Sequence, residues 1–371
     1  MRVKKDREFL SVFDEKTGAY VRTGILDPKG KDTGEDAFMS SYPELLDVGI
    51  MGHCAHGKTG LCLRAGIECY QNGLYSDEKN MRLSDFELIA QQCEGRTFQF
   101  ALGGCGDPDQ HESFIEILRT CRKHGIAVSF TTSGYGMTEV LAAACKQYCG
   151  AVAVSWYRSE YTLRAIDMLL NAGVKTNIHY VLSSKSISEA YTRILNHSFP
   201  LGINAIVFLL HKPVGMGKRE NVINVDNKEF DSFLRTACEK NHPYKIGFDA
   251  CTIPAIIDQE LDVDSHYIDT CEAGRWSAYI TPDMKMLPCS FDAPSQRWAV
   301  DLSKNSIETA WNGEVFSTFR SSFQDACPTC KKRKQCMGGC PILPEIVLCR
   351  NKRSIHRCGL KNKRPRSMTG V

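Results

Sequence analysis

The chain has 371 residues, 43% of them hydrophobic, and a formal net charge of only +3. That length and apolar content suffice for the core of one large domain or two. The weak charge argues against nucleic acid as the main partner, and the lack of any long apolar run excludes an expected membrane-spanning helix.

The N-terminal "MRVKKDREFLSVF" carries basic residues but neither an apolar h-region nor a small-residue cleavage site, so a cytoplasmic protein is expected. Residues 1–40 read as a β-hairpin extension: "FLSVF" and "AYVRTGIL" flank the turn Asp14-Glu15-Lys16-Thr17-Gly18. Next comes "LLDVGI", a short apolar run ending at a cysteine-bearing loop. "LSDFELIAQQC" has helical spacing with Ser84 as its expected N-cap. Strand-like and helix-like segments then alternate through "TFQFALGG", "QHESFIEILRTCRKHG", "IAVSFTTSG", "MTEVLAAACKQYCG", "AVAVSW", "YTLRAIDMLLNAG", "VKTNIHYVLS", "SISEAYTRILNHSF" and "INAIVFLL". Six strands joined by helical crossovers predict an α/β fold with a parallel sheet, curled by right-handed connections into an open six-fold barrel over 41–225. "NKEFDSFLRTACEKN" predicts one more helix, and 226–371 reads as a linker helix followed by a cysteine-rich domain with a weak core of its own. The basic end "RNKRSIHRCGLKNKRPRSMTGV" reads as a solvated tail.

Cysteine is the outlier, with eighteen in the chain. A chain of this size with no export signal does not need disulfide staples, so metal ligands or reactive thiols are the better reading. Cys93, Cys121, Cys145, Cys149 and Cys238 fall in helix-like segments and read as core thiols. Near the C-terminus Cys327, Cys330, Cys336, Cys340 and Cys358 form CX2CX5CX3CX17C, and upstream Cys271 and Cys289 bracket an expected hairpin. Closely spaced thiolates suit either zinc or iron–sulfur clusters, and local spacing does not separate the two. The first loop holds Cys54, Cys62 and Cys69 as CX7CX6C, which fits no common zinc finger.

The C-terminal array and its hairpin resemble the SPASM domain of radical S-adenosylmethionine (SAM) enzymes. In that family Met284 would stand where a glycine is usual. The resemblance, over about residues 45–360, implies two auxiliary 4Fe–4S clusters. One would be bound by Cys327, Cys330, Cys336 and Cys358, and the other by Cys271, Cys289 and Cys340 with Cys251 of "FDACTI" as the fourth ligand; Cys349 fits no slot. It also implies that Cys54, Cys62 and Cys69 hold a third 4Fe–4S cluster whose open iron takes SAM, although the family loop is usually CX3CX2C. "KTGL" and "RAGI" then read as insertions, with Gly57, Gly60 and Gly66 supplying turns and His53 and His56 as alternative ligands. The insertions would wall the barrel mouth for a peptide.

The same resemblance assigns SAM contacts. Gly103 and Gly104 match the family's glycine motif after the second strand, and a tight βα turn is their alternative reading. Thr131, Thr132 and Ser133 would line the pocket, Ser155 would bond the ribose or methionine part, and Tyr157 replaces the family's acidic partner. Arg158 or Arg164 would meet the SAM carboxylate, while Asn177 and His179 face the barrel interior and His211 and Gly215 follow its sixth strand. Cys105 is the one candidate catalytic thiol. The implied activity is that of an oxidoreductase. A 5′-deoxyadenosyl radical abstracts hydrogen from a ribosomally made precursor peptide, and a thioether or carbon–carbon crosslink forms. An electron donor such as flavodoxin or ferredoxin is expected, with no nucleic-acid or membrane partner. An anaerobic sulfatase-maturing type of Cys or Ser oxidation is the alternative, and a zinc-binding interaction protein is the alternative of another class. The N-terminal hairpin would hold a leader peptide by strand addition or pack against the barrel bottom.

Overall fold

In the computed structural model of the chain, residues 1–350 are described apart from Lys240, Ala326 and Pro328. Three short strands come first: β1 (Arg2–Lys5), β2 (Leu10–Asp14) and β3 (Ala19–Arg22), paired antiparallel in that order. The expected hairpin is β2–β3, and β1 adds a third strand through Val3 opposite Val12.

The main sheet begins with β4 (Leu45–Met51). The cysteine loop follows and winds into two short helices, α1 (Ala55–Thr59) and α2 (Leu61–Arg64). Strands and helices then alternate as α3 (Leu83–Cys93), β5 (Gln99–Gly104), α4 (Phe114–Lys123), β6 (Ala127–Thr132), α5 (Glu139–Tyr148), β7 (Cys149–Ser155), α6 (Glu160–Asn171), β8 (Thr176–Leu182), α7 (Ile187–Leu195) and β9 (Ala205–Leu210). Each strand pairs parallel with the next, as the apolar rhythm predicts. Beyond α8 (Lys228–Ala237) a seventh parallel strand, β10 (Lys245–Phe248), extends the sheet past the six expected. After α9 (Ile253–Asp258), β11 (Ser277–Ile280) and β12 (Lys285–Leu287) form the expected hairpin, and β11 lies parallel to β4. β13 (Val300–Asp301) then ends the ten-stranded order β10-β9-β8-β7-β6-β5-β4-β11-β12-β13. Helices α10 (Ile307–Asn312), α11 (Glu314–Asp325) and α12 (Arg333–Cys336) complete the described part.

Alternation along the strands separates two faces. Leu46, Val48, Phe100, Phe130, Ile178 and Phe208 are at most 2% exposed and pack against the helix layer. The intervening residues are small or polar and only half-buried: Asp47 pairs in register with Ala101 and Ala101 with Ser129, while Ser155 pairs with His179. They line the concave face, whose C-terminal rim is the mouth of the open barrel. The opposite rim is capped by the N-terminal sheet: Phe13 packs on Phe98, and Lys175 Nζ donates to the Lys16 carbonyl at 2.7 Å.

Local details differ from expectation. Arg82, not Ser84, is the N-cap of α3, and Ser84 lies within its first turn. Cys149 opens β7 rather than ending a helix. Met284 has φ +63°, in the turn between β11 and β12. The left-handed backbone there explains why a glycine is usual at the matching family position. Among the described residues, no helix is long and apolar enough to cross a membrane.

Candidate metal and SAM site

The opening cysteines sit where β4 ends. Cys54 is the N-cap of α1, its Sγ accepting the Gly57 N–H at 3.3 Å, and Cys62 lies within α2. The Cys69 Sγ accepts the Gly73 N–H at 3.4 Å. A Cβ on Gly73 would stand 3.1 Å from Cys54 Cβ and 3.4 Å from Cys69 Sγ, so Gly73 is wedged between the two cysteines. Burial pushes the Cys62 thiol up to about 12, the charges of Cys54 and Cys69 add to that, and the Tyr157 hydroxyl hydrogen-bonds to it. Burial also raises Cys54, with the Cys69 charge adding. Thiols raised in this way need a positive centre to become thiolates, and backbone N–H groups aimed at sulfur are how proteins support cluster thiolates. The donor set fits a cluster. Among the described residues no three His, Cys, Asp or Glu side chains are close enough to share one metal ion.

The loop is braced from both sides. His56 Nε2 lies 2.9 Å from Asp107 Oδ2, 3.0 Å from Gln110 Nε2 and 3.2 Å from Ser133 Oγ. Asp107 in turn accepts the Ser133 N–H at 2.9 Å. This network ties α1 to the segments after β5 and β6. His53 Nδ1 meets the Glu78 carbonyl at 3.1 Å. The two histidines are thus occupied by oxygen and amide partners, as braces. On the other side the Met216 N–H donates to the Cys69 carbonyl at 2.9 Å, and a Cβ on Gly215 would meet the Tyr70 carbonyl oxygen at 2.4 Å. Glu68 accepts from the Lys218 N–H at 2.9 Å and lies 3.5 Å from His211.

The residues expected to contact SAM fall into two groups. Gly103, next to last in β5, has nothing within 4 Å of where a Cβ would stand, a cradle open to a ligand, whereas Gly104 at its end is pressed against Met51. Thr131 Oγ1 lies 3.1 Å from His179 Nδ1, and burial pushes His179 down to about 4, so its imidazole is neutral. Ser155 ends β7 beside them, and Thr132 and Ser133 are buried. Asn177 accepts from Asn204 at 2.8 Å. Arg158 pairs instead with Glu189 of α7 at 2.5 Å, and Arg164 is exposed on α6, so the structure brings neither to the mouth. The Cys105 thiol donates to the Gln71 carbonyl at 3.4 Å, and burial pushes it up to about 11.

A second group of thiols faces this mouth. Cys251 follows β10, Cys271 and Cys289 flank the β11–β12 hairpin, and the Cys340 Sγ accepts the Leu343 N–H at 3.3 Å. Burial pushes Cys271 up to about 12, with the Cys340 charge adding. Burial also raises Cys289, aided by Cys271 and Cys340, and raises Cys251, aided by Asp249, Cys340 and Cys271. Cys251, Cys271 and Cys289 are thus each within electrostatic reach of Cys340. The Tyr70 ring meets Phe291 at 5.0 Å, so the segments after Cys69 and Cys289 touch across the chamber. In the third group the Cys336 Sγ accepts the Gly338 N–H at 3.4 Å near the charge of Cys330, and Cys327 is buried. Cys358 lies outside the described residues. The Cys349 thiol donates to Asp258 at 3.4 Å. Cys93, Cys121 and Cys145 are buried in the helix layer, and Cys149 and Cys238 are half-buried.

Sequence reasoning passed over the carboxylates at the site. Asp47 on the concave face, pushed up to about 6 by burial, exerts its charge on Tyr70, Tyr279 and Cys289. Its signal was a lone acid inside an apolar run. Asp107 and Asp109, in "GDPDQ", read only as a turn.

A family model for SPASM, described as an iron–sulfur cluster-binding domain, matches residues 271–337. No curated protein matches the chain. Among solved structures, SuiB of Streptococcus suis bound to S-adenosylmethionine is 15% identical, over 84% of this chain and 76% of that one, with a TM-score of 0.62. SuiB bound to its precursor peptide SuiA is 14% identical over 88% and 82%, again at 0.62. Native anSMEcpe with bound AdoMet is 15% identical over 85% and 96%, at 0.58. At such identities these likenesses speak to the fold. The chain thus shares its fold with these proteins, two of them solved with S-adenosylmethionine bound, and its residues 271–337 match the SPASM iron–sulfur cluster-binding domain.

Proposed function

We propose that the chain is a radical SAM peptide maturase that crosslinks a ribosomally made precursor peptide through a thioether or carbon–carbon bond. The observation that carries this reading is the chamber rim: the loop of Cys54, Cys62 and Cys69 after β4 touches the segment after Cys289 through Tyr70 and Phe291, whose ring centroids lie 5.0 Å apart. The neighbour SuiB bound to its precursor peptide SuiA supports a peptide as the substrate. In this reading residues 1–40 are an extension, 41–225 the barrel and 226–371 the linker and SPASM domain. Cys54, Cys62 and Cys69 hold the SAM-binding 4Fe–4S cluster. Cys251, Cys271, Cys289 and Cys340 hold one auxiliary cluster, and Cys327, Cys330, Cys336 and Cys358 the other. When bound and reduced by a donor such as flavodoxin or ferredoxin, the first cluster supplies the electron that converts SAM to methionine and a hydrogen-abstracting 5′-deoxyadenosyl radical. The chain's own residues do the rest. Gly103 admits a ligand close to the backbone, Ser155 and the Thr131–His179 pair orient it, and His56 and Asp107 hold the loop rigid.

One observation favours a second reading, the oxidation of a Cys or Ser on a protein. That chemistry needs a base in the chamber, and Asp47 is an acid so placed, with its pKa raised to about 6. A hydrazide-reactive aldehyde in the product, in place of a crosslink, would select it.

Anaerobically reconstituted protein is expected to be brown, to bind several irons and to release 5′-deoxyadenosine from SAM with dithionite. Joint replacement of Cys54, Cys62 and Cys69 by Ala abolishes that product. Colourless protein that binds zinc, or turnover that survives the triple replacement, overturns the proposal.

A further inference from the structure

Lys212 stands just beyond β9, only 5% exposed, in a region that should be costly for a cation. Its Nζ donates to Asp249, which lies just beyond β10. Asp249 is fixed in turn: Oδ2 also accepts the Leu210 N–H at 3.1 Å, and Oδ1 accepts the Thr252 hydroxyl at 2.9 Å. On its other side Lys212 Nζ lies 4.6 Å from the centroid of Phe291. Each neighbour leads to a cysteine two residues away, Asp249 to Cys251 and Phe291 to Cys289. The pair therefore sits against the four-thiol group. Burial opposes the charge on Lys212, but its direct contact with the Asp249 carboxylate holds the ammonium. The ammonium is the end of the pair that meets both neighbours of the thiols, Asp249 and the Phe291 ring, whereas the carboxylate is also taken up by the Leu210 N–H and the Thr252 hydroxyl.

Stability does not account for such a pair. A buried ion pair costs about as much in lost hydration as it returns, and apolar residues of the same volume often serve as well or better. What it does provide is a fixed positive charge beside a site whose own charge becomes more negative by one unit on reduction. Net charge and hydrogen bonding around the sulfurs are the protein's levers on cluster potential. We propose that the Lys212–Asp249 pair sets the reduction potential of the cluster held by Cys251, Cys271, Cys289 and Cys340, with the ammonium end favouring the reduced state. The step is the uptake of one electron by that cluster, with no proton. Lys212 is a positioning residue for charge and touches no substrate. The inference rests on the ligand assignment proposed above.

Potentiometric titration of the reconstituted holoenzyme, followed by electron paramagnetic resonance, reads the effect without turnover. Lys212→Met shifts one auxiliary cluster to lower potential and leaves the others in place, and Lys212→Arg restores it. Asp249→Asn, which strips the ammonium of its counter-charge, shifts the same cluster to higher potential. Potentials that do not move in Lys212→Met, or shifts of the same sign in Lys212→Met and Asp249→Asn, overturn the inference. If Lys212→Met fails to take up iron, the direction of the Asp249→Asn shift decides alone. Failure of the ligand assignment shows separately. Cys289→Ala is expected to lose about one 4Fe–4S cluster of iron, and unchanged iron content in that variant would sink the assignment whatever the potentials do.

Discussion

Asp109 is a buried carboxylate, and among the described residues neither of its oxygens has a partner in good hydrogen-bond geometry, though Thr132 lies close enough to lower its pKa somewhat. Burial, then the neighbouring charge of Asp107, pushes it up to about 7, while His56 offsets part of the rise. The folded protein therefore keeps a proton on Asp109 at a pH where the unfolded chain, near 3.8, has lost it. A state that binds more protons loses stability as pH rises, so folding weakens through this window and the loss is complete above it. Between pH 6 and 8 a group at about 7 contributes a fall of about 1.4 kcal/mol. Asp109→Asn should flatten that part of the pH profile of the melting temperature, and a slope equal to wild type would show that Asp109 is ionised when folded. The same residue shows which parts of the site were legible in the sequence. The cysteines of the site announce themselves because they recur at short spacings along one loop. Their braces do not: His56 and Asp107 are 51 residues apart in sequence, and Lys212 and Asp249 are 37 apart. Such pairs exist only once strands lie side by side. Arg158 illustrates the converse. Its position at the end of β7 pointed to the mouth, but φ of +60° and the carboxylate of Glu189 turn the side chain to the helix layer.

Elements place those residues, and the segment after β9 shows how tightly. It runs against the backbone of Cys69 and Tyr70, with Gly215 at φ +61° and no room for a side chain. Gly215→Ala would have to move the segment or the loop, because the obstructing atoms are backbone. It should also break the bond from Met216 to Cys69. The expected outcome is a native far-ultraviolet spectrum with at least tenfold less 5′-deoxyadenosine formed; wild-type yield would show that Cys69 does not depend on this buttress. Half of the extra residues of the cysteine loop are helical, since Lys58 and Thr59 lie in α1 and Leu61 and Arg64 in α2. Just ahead of them His56 anchors α1 to Asp107 and Ser133, so the loop is held rigid where the added residues begin. The alternating elements from β4 to β9 were legible because each buries one apolar face against helices and repeats that pattern. β10 was not: "KIGF" is four residues with a glycine at its centre, and its pairing with β9 is what makes it a strand. β1 was missed for a similar reason, since "RVKK" has one apolar residue and owes its conformation to β2.

At the scale of the whole molecule the N-terminal sheet joins parts that the chain order separates. Phe13 packs on Phe98 at the lower rim of the barrel, and Phe9 meets Trp276 of the SPASM region edge to face at 5.4 Å. Arg22 lies 3.9 Å over the Trp276 ring and pairs with Asp269. Both phenylalanines are 2% exposed. Each buried phenylalanine contributes roughly 2–3 kcal/mol, offset by the entropy of ordering the short strands that carry it. The outer face is different: Val3, Val12 and Val21 stand in one cross-strand row, with Val3 and Val21 more than 60% exposed. The contacts on the inner face make the sheet a packing element first. Removal of residues 1–22 should therefore uncover Phe98 and Trp276 and lower the melting temperature by on the order of 5 °C, the equivalent of about 2 kcal/mol in a chain of this class. Val3→Lys with Val21→Lys, which alters only the outer row, should leave both stability and the KM for peptide as in wild type. If that double variant keeps its melting temperature but raises KM many-fold, the sheet is instead where a leader peptide docks, and the row of valines is the surface that receives it.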